Sequence, residues 1–234
     1  MTNLALYQLL GISPVVYEGE NDGRLFRHVV PARNSAHAKS SHGSRTRFGY
    51  HVDNPDLPLK TEPIVNISAC PEYLSLFGMR CDPSVGATLV PTQAVLSRLD
   101  AKTLEVLASP RFVITRPASF GIPRETHSLP LIVKDTNGQW LCRFDTENTS
   151  AMDAEGAEAI ASLRTILETR EFDIKILLLP GDFLIFKNQS VLHARDAFVP
   201  LNDGVDRWLM RVFGMQNMAR TKPASTGRLY EVLA

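Results

Sequence analysis

Residues 175–198, KILLLPGDFLIFKNQSVLHARDAF, decide the fold. Two apolar runs, IKILLL (174–179) and DFLIFKN (182–188), are hinged at Pro180, Gly181 and Asp182, residues whose backbone preferences make a tight turn, so Asp182 reads as a turn former. The pair is a strand, a turn and a returning strand. Outward from it the same texture recurs in PIVNIS (63–68), YLSLFGMR (73–80), GATLVP (86–91), RFVITRP (111–117), LPLIV (129–133), QWLCRFD (139–145) and RWLMRVFGM (207–215). Many short runs punctuated by Pro, Gly and Asp predict an all-β sandwich or barrel core rather than a parallel sheet. Helical spacing interrupts them twice. One helix is expected over 92–108 from a Thr92 cap, with Leu96, Leu99, Leu104 and Leu107 on one face; the other starts at Asp153 and carries Ala157, Ile160, Leu163 and Leu167.

Among 234 residues, 25 basic side chains balance 25 acidic ones, which leaves no electrostatic footprint for nucleic acid or an anionic membrane surface. No apolar run reaches the roughly 18 to 20 residues of a membrane-spanning helix, and the N-terminal MTNLALYQLLGISP has neither a basic region nor a small-residue cleavage site. The expectation is an unprocessed cytoplasmic chain. Cys70, Cys81 and Cys142 are widely separated and form no CxxC, as expected of reduced core thiols. With no repeat and no linker, a single domain is expected over 1–234. It comprises a short helical N-terminal part (1–31), a loop (32–47), a β core (48–217) and a tail (218–234). Residues 32–44, ARNSAHAKSSHGS, have no apolar period, and the loop 32–47 is expected to order over a substrate as a lid.

The chemistry-bearing residues are few. His51 and Asp53 form an HxD in FGYHVDNP, and alternate residues of a strand project to one face, so imidazole and carboxylate can converge on one ion. His193 supplies a second imidazole. Two His and one carboxylate on one face of an octahedral ion leave three positions for a chelating cosubstrate and dioxygen, an arrangement suited to non-haem Fe(II). The helical HExxH of zinc hydrolases is absent. Arg207 and Arg211 lie four apart in DRWLMR and would share a strand face, where their forked cations suit carboxylates. Arg195 and Asp196 are placed to support the strand around His193. The same residues also suit a jelly-roll binding protein of cupin type that holds a structural ion.

The order FGYHVDNP, PEYLSLFGMR, GATLV, PRFVITRP, LCRFDTEN, a helix, LLLPGDFLIFKNQSVLHARDAF and DRWLMRVF covers roughly residues 45–217. It resembles the clavaminate-synthase-like branch of the Fe(II)/2-oxoglutarate oxygenases, a group related to the taurine dioxygenases that includes hydroxylases of free arginine, asparagine and lysine. The resemblance implies a mainly β chain with flanking helices around a double-stranded β-helix (jelly-roll) core. It implies Fe(II) on His51, Asp53 and His193, with 2-oxoglutarate and O2 as cosubstrates. Arg207 would grip the far carboxylate of 2-oxoglutarate, Thr88 would hydrogen-bond it, and Arg211 would take a substrate carboxylate. Arg143, Asp145 and Glu147 would lie on the substrate side. The implied partner is a small, amino-acid-like molecule oxidised at an unactivated carbon, by hydroxylation or a related ring closure or desaturation, with release of succinate and CO2; neither nucleic acid nor membrane is implied, and an oligomer is compatible. This chain departs from the pattern at Lys187, where the family often has Asp, at Ala194, where it often has Gly, and at Asp53, where the amino-acid hydroxylases usually have Glu. Only 50 residues precede His51, about half the usual number.

Overall fold

The computed structural model describes residues 2–37, 42–117, 120–121 and 123–234. In chain order these form α1 (Thr2–Leu9), β1 (Ser13–Tyr17), β2 (Arg27–Val29), β3 (Phe48–His51), β4 (Tyr73–Arg80), β5 (Ala87–Pro91), α2 (Thr92–Leu96) and α3 (Ala101–Leu107). There follow β6 (Phe112–Thr115), β7 (Glu125–Leu129), β8 (Ile132–Lys134), β9 (Trp140–Cys142), β10 (Thr149–Ala151) and α4 (Ala154–Glu168). The chain closes with β11 (Ile174–Ile176), β12 (Phe183–Lys187), β13 (Val191–Arg195), β14 (Trp208–Met215) and β15 (Glu231–Val232).

Two sheets carry the architecture. The larger runs β12-β4-β14-β1-β15 with β2 also on β14, and the smaller runs β11-β5-β13-β3. Strand alternation gives the smaller sheet two apolar faces. Ala87 and Leu89 meet Leu74, Leu76, Phe186, Leu209 and Phe213 of the larger sheet in one core. On the other face Val90 and Leu192 pack with Leu96, Leu107, Ile160 and Leu163 of the helices in a second core. A third cluster, Tyr7, Ile12 and Val212, seats α1 on the outside of the larger sheet. That seat needs a glycine: a Cβ on Gly214 would stand 2.5 Å from Ile12 Cγ2 and 2.8 Å from Tyr7 Cε1. This is the β sandwich that the punctuated runs predict, with the jelly-roll core that the resemblance implies.

Several elements differ from their sequence expectations. The helix expected over 92–108 is two, because the Asp100 carboxylate accepts from Thr103 N at 2.8 Å and caps a new start, while Thr92 makes no cap. Pro130 divides LPLIV between β7 and β8. Among the described residues the N-terminal part is α-helical in α1 alone: the β-branched SPVVY becomes β1, pairing antiparallel with β14 and parallel with β15 of the tail. The loop 32–47 lies outside the described residues at 38–41. Its described stem is tied down by Ala32 N to His42 O (3.0 Å) and Arg45 N to Ala36 O (2.8 Å).

PIVNIS forms no strand, and residues 52–72 cross between β3 and β4 as irregular chain. Side chains replace the missing ladder. The fully buried Arg143 donates to the carbonyls of Pro55 and Leu57, both at 3.2 Å, and pairs with the Glu62 carboxylate. Arg220 donates to Leu59 O at 3.0 Å and Glu62 O at 2.6 Å, and Arg116 holds Asp56 at 2.8 Å. Removing the Arg143 guanidinium leaves a carboxylate and two carbonyls without their cation, a loss of about 3–5 kcal/mol for one half of a buried pair. Arg143→Met is therefore expected to lower the urea midpoint sharply. A midpoint within experimental error of the parent would mean that this loop is held by other contacts.

Candidate metal centre

The centre is built by strand register. β13 lies between β5 and β3, with His193 opposite Leu89 on one side and opposite His51 on the other. Directly paired residues of antiparallel strands share a face, so the two imidazoles meet with ring centroids 4.0 Å apart. β3 ends at His51, and Asp53 therefore sits beyond the strand rather than on it. What aims its carboxylate is Asn188. The buried Asn188 amide accepts from Asp53 N and donates to Asp53 O, both at 2.9 Å, and Asn54 at φ 56° then turns the chain away.

One donor atom from each of His51, Asp53 and His193 lies within 4.8 Å of the other two. His51 Nδ1 is 2.8 Å from Gly49 O, which fixes its proton there and leaves Nε2 as a lone pair. His193 Nε2 stands 3.4 Å from Asp53 Oδ2, and that buried oxygen has no hydrogen-bond partner. Donors bound to one ion at about 2.1 Å and near right angles stand roughly 3 Å apart, so the triad suits a small divalent cation. Protonation agrees with this. Burial and the neighbouring His51 pull His193 down to about 4, opposed by Asp53, so its ring is neutral at neutral pH. Burial alone would raise Asp53, but Arg211 and His193 hold its carboxyl well below the usual carboxylate range.

The triad opens on a cavity between the two sheets. Its charged lining comprises the triad with Arg195, Arg207 and Arg211; its apolar lining includes Val29, Phe48, Leu76, Leu89 and Leu209. Arg207 is 6% exposed, and no hydrogen bond or ion pair joins its guanidinium to another described residue. Burial and nearby Arg195 bring it down to about 10, so it stays a cation at neutral pH. Arg195, two residues beyond His193, is directed elsewhere: it donates to Thr46 O at 3.0 Å and to Gly43 O, and so ties β13 to the approach to β3. Arg211 is paired twice. Nη1 meets Asp53 Oδ1 at 3.0 Å, and Nη2 meets the buried Glu20. Glu20 also lies 3.8 Å from Arg27, which sits opposite Arg211 in the β2–β14 register, so one carboxylate relieves the repulsion between two guanidiniums.

The other sequence candidates are not brought into this cavity. Thr88 is buried, but its neighbours Ala87 and Leu89 line the cavity, and strand alternation turns Thr88 to the opposite face. Arg143 is committed to Pro55, Leu57 and Glu62. Asp145 accepts from Glu147 N at 2.8 Å and from Asn148 Nδ2 at 2.7 Å, closing its own turn. Glu147 lines a separate depression with Arg47, Tyr50 and Arg164. The sequence reading missed Glu20 altogether, because its partner Arg211 is 191 residues away. The sequence around Asn188 showed the residue, but not its hold on Asp53.

The chain resembles proteins of known activity along most of its length. It is 27% identical over 224 residues to the L-lysine 3-hydroxylase of Catenulispora acidiphila, covering 92% of this chain and 59% of that protein. It is 28% identical over 213 residues to the L-asparagine oxygenase of Streptomyces coelicolor, covering 89% of this chain and 60% of that protein. The chain thus spans about three-fifths of the length of these relatives. Among solved structures, an asparagine oxygenase in complex with Fe(II), 3-hydroxyasparagine and succinate superposes with a TM-score of 0.85 at 26% identity, over 99% of this chain and 69% of that one. The model of the family described as "Taurine catabolism dioxygenase TauD, TfdA family" matches residues 3–213, and the chain belongs to that family.

Proposed function

We propose that the chain is an Fe(II)- and 2-oxoglutarate-dependent oxygenase that oxidises an unactivated C–H bond of a free amino acid or a close derivative. The observation that carries this reading is the pairing, in one cavity, of the metal-donor triad with the buried and unengaged guanidinium of Arg207. A buried cation without a partner is costly unless a ligand brings the anion, and the far carboxylate of 2-oxoglutarate is such an anion. His51, Asp53 and His193 hold the metal, Asn188 fixes the backbone of Asp53, and Arg211 keeps one of its oxygens oriented. When bound, Fe(II) with chelated 2-oxoglutarate supplies the oxidising power, and the overall balance is R–H, O2 and 2-oxoglutarate giving R–OH, succinate and CO2.

Guanidinium has five N–H donors, and two of the Arg211 nitrogens are engaged by Asp53 and Glu20. The remaining donors are where we place the substrate carboxylate. The apolar walls exclude bulk water around the triad, and the desolvated setting strengthens each charge-assisted contact. The three cysteines are free, which supports work in a reducing compartment such as the cytoplasm.

Two measurements test the reading. Anaerobic addition of Fe(II) and 2-oxoglutarate should produce the weak visible band of a metal-chelated 2-oxo acid, and His193→Ala should abolish both the band and succinate release. Absence of band and succinate in the parent would return the site to the ion-binding, cupin-type alternative. Arg207→Ala should raise the 2-oxoglutarate requirement by tens-fold or more while Fe(II) affinity changes little. Lys at this position should rescue only in part, for want of the fork. An unchanged 2-oxoglutarate dependence would place the anchor at another cation.

A further inference from the structure

We propose that the substrate of this site carries a carboxylate at one end and an uncharged, largely apolar side chain at the other, so that basic amino acids are excluded. The inference rests on the oxygenase reading above and concerns what the cavity offers the far end of an amino acid. Among the described residues, the carboxylate lining the cavity is that of Asp53, which is committed to the metal position and to Arg211. The cations of the lining are Arg207 and Arg211, the second already shared between Asp53 and Glu20, while the Arg195 guanidinium is spent on the carbonyls of Gly43 and Thr46. A lysine ammonium or an arginine side chain entering here would lose its hydration with no uncommitted acid to receive it.

Acids elsewhere do not change this balance. Glu20 lies behind Arg211 in an adjoining depression and is held between Arg211 and Arg27, so two cations already neutralise it. Asp145 is absorbed by its own turn, and Glu147 faces the depression it shares with Arg47 and Arg164. The eight positions outside the described residues, Met1, Ala38, Lys39, Ser40, Ser41, Ala118, Ser119 and Ile122, bring no acidic side chain. What the cavity does offer is hydrocarbon: Val29 and Phe48, both half-buried, with Leu76, Leu89 and Leu209 behind them. An apolar side chain gains by leaving water for such a wall. The chain therefore differs in preference from the L-lysine hydroxylase it resembles.

L-norleucine and L-ornithine decide the point, because they match in length and differ at the tip by methyl against ammonium. With the full chain loaded anaerobically with Fe(II) and 2-oxoglutarate, each amino acid is titrated while the visible band is followed, and succinate release is then measured in air. Norleucine should perturb the band at concentrations at least ten-fold lower than ornithine and stimulate succinate release correspondingly, and its methyl ester should bind far more weakly than the free acid. Val29→Glu, at the half-buried end of β2, should shift the preference toward ornithine by ten-fold or more. Ornithine, lysine or arginine binding the parent as well as norleucine would overturn the inference. So would a normal band that no uncharged amino acid perturbs. Failure of the band itself would instead sink the oxygenase reading, and the inference with it.

Discussion

The site depends on the register of three antiparallel strands. With β13 held between β5 and β3, His193 is forced to share a face with His51 and Leu89, and its neighbours Leu192 and Ala194 are forced toward the helices. A slip of one residue would exchange these faces, carrying an imidazole into the helical core and a leucine into the metal position. The two apolar cores on either side of the smaller sheet prevent it. The same packing that stabilises the sandwich thus specifies where the metal donors meet.

Charge is organised around that register as a chain of alternating signs. Asp53 pairs with Arg211, Arg211 with Glu20, and Glu20 with Arg27, so the carboxylate of the donor cluster is electrostatically coupled to β14, to the loop after β1 and to β2. Burial would favour a protonated Asp53; the Arg211 and His193 side chains reverse that preference. Arg207 stands outside the chain of pairs, and this isolation distinguishes it from Arg211, a residue of the same type on the same segment.

The sequence pattern made the sandwich legible through short alternating runs broken by turn formers, and made the clustering of His51, Asp53 and His193 legible through their donor types, although Asp53 is placed beyond β3 by Asn188 and not by strand alternation. Asp100 and Pro130 also act locally, yet their effects were masked by the leucine and isoleucine runs around them. The role of Arg143 was not legible, since an arginine beside acidic residues reads the same whether it faces a ligand or holds a loop. Its true partners, Pro55, Leu57 and Glu62, lie more than 80 residues away. Thr88 shows the converse failure. Its motif was recognisable, but the face it occupies is set by the pairing of β5 with β13, and pairing partners are not written in a single strand.

The parallel pairing of β1 with β15 also has a mechanical meaning. Val16 N donates to Tyr230 O at 2.9 Å and Glu18 N to Val232 O at 2.8 Å, so the two outermost strands of the chain run side by side in the same direction. Tension applied between Ser13 and Val232 would act along these strands and load their hydrogen bonds together in shear, instead of peeling them one at a time. The larger sheet is therefore braced where the chain begins and ends, and a tug on either segment would be resisted by the strand that completes the other.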